Sequence, residues 1–122
     1  MAYDDQNIFA KILRGEIPCN KVYEDEHVLA FHDIQPQTPV HVLVIPKGRY
    51  LSWDDFAETA SDAEIAALTR AAGRIARELG VAESGYRVLS NCGPDGLQEV
   101  PHLHLHLFAG KKLGRMIKPA DN

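Results

Sequence analysis

Between Pro101 and Phe108 the chain alternates strictly, with His102, His104 and His106 at even positions and Leu103, Leu105 and Leu107 at odd ones. Only a β-strand has a side-chain period of two, so this stretch is predicted as a strand over 102–108 with imidazoles on one face and leucines on the other. The leucine face needs a core to lie on. Pro101 lacks an N–H and suits the first position of a strand, so it marks the start. A single imidazole on a strand is ordinarily a solvated or hydrogen-bonded group without a task. Here three of the chain's six histidines share one face, about 6.6 Å apart along the strand. Such a row can bind a metal such as zinc, or it can serve phosphate chemistry as nucleophile and hydrogen-bond partners. The spacing alone leaves both open.

The 122 residues, read as one domain over 1–122, allow one substantial core. Thirteen basic residues against seventeen acidic ones give a net charge of −4, the wrong balance for gripping long nucleic acid. A small anion stays within reach, since backbone N–H groups bind phosphate without a basic surface. No apolar run approaches a membrane span, and the acidic start Tyr3-Asp4-Asp5 is unlike a signal peptide, so a cytoplasmic protein without membrane contact is expected. Cys19 and Cys92 form no CxxC pair and read as free thiols.

The remaining elements follow from local pattern. Asp5 to Leu13 is predicted as a helix capped by Asp4 or Asp5 and ended by Gly15 and Pro18. Strands are predicted at 21–24, 28–32, 40–45 and 86–91, with the two-proline loop 33–39 between the second and third. Ser61 and Glu64 form a capping box, and Ile65, Leu68, Ala72, Ile75, Ala76 and Leu79 make the apolar stripe of a long helix ending at Gly80. The stretch Cys92 to Glu99 is rich in turn residues and can present N–H groups to an anion beside the histidines. The expected fold is α+β, a five-stranded antiparallel sheet with two main helices.

The triad His102-Leu-His104-Leu-His106-Leu-Phe, the segments Phe31 to Lys47 and Ile8 to Pro18, and the stretch Asn91 with Gly96 to Val100 together resemble the histidine triad family, over about residues 7–110. The tail 111–122 matches only loosely. The resemblance is to the nucleotide-binding branch, small purine nucleoside phosphoramidases of bacterial type. It implies a homodimer joined through sheet edge and helix, with a small-molecule purine nucleotide as substrate. It implies apolar walls for the base from Phe9, Ile12, Phe31, Ile34 and Leu43, with Asp33 accepting from the ribose hydroxyls. Asn91 and the backbone of Leu97, Gln98 and Glu99 would hold the phosphate. His104 would be the nucleophile, His106 a phosphate ligand, and His102 and His41 the rest of a relay.

Such a protein would split the P–N bond of a nucleoside phosphoramidate through a nucleotidyl-histidine, a displacement that needs no metal or other cofactor. Some relatives hold structural zinc with a Cys-x-x-Cys pair and a histidine. Those places here are Asn7, Ala10 and Arg49, so no metal is expected. Two other readings stand beside this one: a dinucleoside polyphosphate hydrolase or nucleotidyl transferase, and a nucleotide- or metal-binding regulatory protein with incidental hydrolysis. His41 fits either a relay or a fourth metal ligand.

Overall fold

The computed structural model describes residues 2–118. Its elements run α1 (Ile8–Leu13), β1 (Lys21–Glu24), β2 (Val28–His32), β3 (Val40–Pro46), α2 (Trp53–Thr59), α3 (Asp62–Glu78), β4 (Tyr86–Leu89) and β5 (Leu105–Ala109). The five strands make one antiparallel sheet in the order β1-β2-β3-β5-β4. Inserting β5 between β3 and β4 puts the histidine segment at the centre of the sheet. In that register Leu43 lies opposite His106 and His41 opposite Phe108. His41 and His106 are therefore diagonal neighbours on one face.

Each face has its own core. On one side Val42, Val44, Leu103, Leu105 and Leu107 pack with Phe56 of α2 and Leu68 and Ile75 of α3. Leu103 and Leu107 are completely buried, each contributing about 1.5–3 kcal/mol by leaving water. On the other side Phe9 of α1 packs with Leu29, Phe31, Leu43 and Ile45, and Ile12 and Leu13 lie against that cluster. The odd–even alternation sends the leucines to the larger core and the histidines to the side that carries α1. Ser61 and Glu64 form the expected capping box on α3.

Several elements differ from the sequence expectation. Helix α1 starts at Ile8, because Asn7 is the cap and accepts from the Ala10 N–H at 2.9 Å. Asp4 instead accepts from the Gln6 N–H at 2.8 Å, in the turn leading in. Helix α2 adds a third helix, capped by Ser52 with Asp55 where the usual box has Glu or Gln. Strand β4 stops at Leu89, since the Ser90 hydroxyl donates to the His104 carbonyl at 3.0 Å rather than continuing the ladder. Finally, β5 begins only at Leu105. His102 to His104 form an arm outside the ladder that follows a bend at Pro101 and His102 and is held where the Leu103 N–H meets the Tyr50 carbonyl at 2.8 Å. Beside this arm β3 ends at Pro46, which has no N–H to offer. Of the tail, residues 119–122 lie outside the described residues.

Candidate active site

Four aromatic rings line up along the α1 face of the sheet. Phe9 meets His104 edge-on at 4.9 Å between centroids, His104 meets His106 at 5.0 Å, and His106 stacks on Phe108 at 5.4 Å. His102 lies at the inner end, fully buried, and His41 flanks the row with its centroid 5.2 Å from that of His106. Alternation supplies three of the histidines, and the β3–β5 register supplies the fourth.

Hydrogen-bond partners fix the tautomer of every imidazole in the group. The Gln37 backbone N–H donates to His41 Nδ1 at 3.1 Å, so neutral His41 carries its proton on Nε2. That Nε2–H donates to His106 Nδ1 at 2.9 Å, with Asp33 Oδ2 3.5 Å away. His106 Nδ1 is thus an acceptor, and its own proton sits on Nε2. The His104 Nδ1–H donates to the His102 carbonyl at 2.7 Å, leaving an unprotonated Nε2. The His102 Nε2–H donates to the Pro46 carbonyl at 2.9 Å. Its Nδ1 accepts from the Tyr3 hydroxyl, ninety-nine residues away. His104 therefore offers a lone pair, and its neighbour His106 offers an N–H. This is the pairing that a nucleophile and an oxyanion donor require.

Burial keeps these rings uncharged. It lowers His102 to about 4. It also lowers His106 to about 4, with His104 and His41 pushing the same way. Burial lowers His104 and His41 as well, against the opposing pull of Asp33. A neutral His104 at pH 7 is the nucleophilic form.

A 190 Å³ cavity opens over His104 and His106, walled by Phe9, Asp33, Gln35, Gln37, Leu43, Asn91, Leu97, Glu99 and Val100. It brings together most of the side chains singled out from the sequence. Phe31 and Ile12 stand behind its wall in the α1 core rather than on it. Ile34 is 88 % exposed and Gln98 turns away, its amide donating to the Leu51 and Val100 carbonyls at 2.6 and 3.0 Å. The Leu97 and Gln98 N–H groups are taken within the turn by Pro94 and Gly93, at 3.0 and 3.1 Å. Of those three amides, only that of Glu99 makes no bond among the described residues. Gln35, Gln37 and Val100 also line it; they lie within the segments that carry the resemblance, but nothing in their residue type marks them as site residues. Tyr3 also went unforeseen, because nothing local marks a contact of that sequence separation.

Asp33, His41 and His106 also place one potential metal-ligand atom each within 4.8 Å of one another. Their hydrogen bonds already account for this closeness. His41 Nδ1 is taken by Gln37, so Nε2 bears the proton and has no lone pair for an ion.

Fold and site together define a small α+β protein built around a three-histidine segment and the cavity that opens over it. The HIT domain model matches residues 14–113. A purine nucleoside phosphoramidase of Escherichia coli is 42 % identical over 113 residues, covering 93 % of this chain and 94 % of that protein. An uncharacterised HIT-like protein of Azospirillum brasilense is 66 % identical over 115 residues, 94 % of either chain. Among solved structures, a histidine triad protein from Clostridium difficile superposes with a TM-score of 0.82 at 47 % identity, covering 96 % of this chain and all of that one. The chain belongs to the histidine triad (HIT) family.

Proposed function

We propose that this protein hydrolyses the P–N bond of purine nucleoside phosphoramidates through a nucleotidyl intermediate on His104. The observation that carries the reading is the tautomer pattern: a buried, neutral His104 with a bare Nε2 beside a His106 whose Nε2 bears hydrogen. The related Escherichia coli phosphoramidase supports the choice of substrate class.

The base would lie against Phe9 and Leu43, and Asp33 would accept from the ribose hydroxyls. His104 Nε2 attacks the α-phosphorus while the His106 N–H, Asn91 and the Glu99 amide hold its oxygens. The P–N bond breaks, and the leaving nitrogen departs as an amine with a proton taken from solvent. Water then attacks the phosphorus, releasing nucleoside monophosphate and restoring His104. Splitting one displacement into two is the usual gain of covalent catalysis. No step draws on a metal. A second copy would add through β4, a sheet edge whose Tyr86 and Val88 are 40 % and 39 % exposed, giving the homodimer that the resemblance implies.

Rapid quenching and mass spectrometry during turnover should find the nucleotidyl group on His104. His104→Ala should drop kcat by several decades, where each tenfold is about 1.4 kcal/mol of barrier. It should weaken nucleoside monophosphate binding by only about tenfold or less, because the nucleophile is one of several phosphate contacts. An adduct on His102 or His106, or near-normal kcat in the variant, refutes the mechanism.

A further inference from the structure

The site does not end at His106. Gln37 lines both the catalytic cavity and a second one of 250 Å³, whose other walls are Thr38, Arg87, Leu89, Phe108, Lys111 and Leu113. The row of rings gives the two cavities a direction. Phe9 and His104 stand at one end, and Phe108 at the other, its ring within 5° of parallel to His106. With the base against Phe9 and His104 attacking phosphorus, in-line displacement sends the leaving group away from His104. That direction leads past His106 and Phe108 into the second cavity.

The lining of this cavity has a definite chemistry. Arg87 and Lys111 are its charged residues, and no carboxylate lines it. The Arg87 guanidinium donates to the Gly114 and Arg115 carbonyls at 3.0 and 3.3 Å, which fixes its position and that of the chain beyond β5. Leu89, Phe108 and Leu113 provide apolar surface beside the two cations. The next cavity outward shares Arg87 and Lys111 and adds Lys112, again without an acidic residue. On a chain of net charge −4 this is a local reversal of sign placed at the exit of the reaction path.

We propose that the Arg87–Lys111 cavity is the leaving-group subsite and selects amines that carry an anionic group, a carboxylate or a phosphate. This rests on the phosphoramidate reading of the site. As the P–N bond breaks and the Nε2–P bond forms, the amine leaves protonated while its anionic end stays paired with Arg87 and Lys111.

Four adenosine 5′-phosphoramidates test this on the full chain, with β-alanine, its amide, 2-aminoethyl phosphate and ethylenediamine as amines. The carboxylate and phosphate substrates should exceed the neutral amide in kcat/KM by roughly three- to tenfold, the range for two partly exposed ion pairs. The diamine should be the slowest. High ionic strength should erase the preference. Lys111→Glu should invert the ratio of anionic to cationic substrate, and that ratio is insensitive to general damage. A preference confined to the phosphate or to the carboxylate supports the subsite and identifies its ligand. Turnover of all four at equal rates overturns the subsite and leaves the hydrolase intact, as does a faster diamine or a ratio unchanged in the variant. Turnover of none overturns the hydrolase reading itself, and the subsite with it.

Discussion

His102 is fully buried between Tyr3 and Pro46, and burial holds its imidazole at about 4 against an ordinary 6.5. In the unfolded chain the ring takes up a proton near 6.5, while in the folded protein it stays neutral until about 4. The unfolded state therefore binds more protons in that interval, and stability rises with pH across it. The contribution is complete above the unfolded value, falls as the pH drops toward the folded one, and is exhausted below it. Taking one proton and these two values, lowering the pH from about 7 to about 5 should remove about 2 kcal/mol through His102 alone. His41, His104 and His106 are shifted the same way and add to the wild-type loss, so the single ring is isolated by difference. His102→Gln keeps an N–H for the Pro46 carbonyl and removes the titration. Urea unfolding of both proteins at the two pH values should show the wild type losing about 2 kcal/mol more than the variant. Parallel losses would mean that His102 is not the neutral, desolvated group described, and would refute the reasoning.

Asp33→Ala should weaken ribonucleotide binding by about 1.5–3 kcal/mol through lost charged hydrogen bonds, while the 2′,3′-dideoxy analogue is hardly affected; calorimetry giving equal losses would confine Asp33 to bracing His41. After dialysis the protein should be a dimer by light scattering and hold no stoichiometric zinc by elemental analysis. About one zinc per chain, with activity lost on chelation, would point instead to the Asp33–His41–His106 cluster as a metal site.

The sheet was legible because β-rich runs and turn residues fall at the strand ends, and α3 because Ser61 and Glu64 announce it. Helix α2 escaped because its box uses Asp55, a shorter acid than the pattern calls for. The triad's alternation gave the correct faces but overstated the strand. The arm keeps the alternation of faces without the ladder, and what sets it apart lies elsewhere in the chain: Pro46 at the end of β3 and the Tyr50 carbonyl that takes the Leu103 N–H. Within the site, residue types could be read from the sequence but proton positions could not. Those depend on the Gln37 N–H, presented to His41 by the fold of the loop before β3, and on the Pro46 carbonyl and Tyr3, which reach His102 from segments far away in the chain. Ile34 and Gln98 show the opposite failure. They sit within matching motifs, yet the local turns point one into solvent and spend the other on bracing the loop.

Because consecutive side chains from 103 to 108 serve opposite sides of the sheet, this stretch is governed by parity as much as by composition. Replacing one leucine with another apolar residue is a local fault, repaired or tolerated where it occurs. Adding or removing a single residue is of another order. Every position beyond the change would swap sides, sending imidazoles into the space against α3 and leucines into the cavity now bordered by His104 and His106. Variation in the region should accordingly take the form of exchanges, while gains and losses of residues collect in the turn between β4 and the histidine arm, where no such alternation has to be kept.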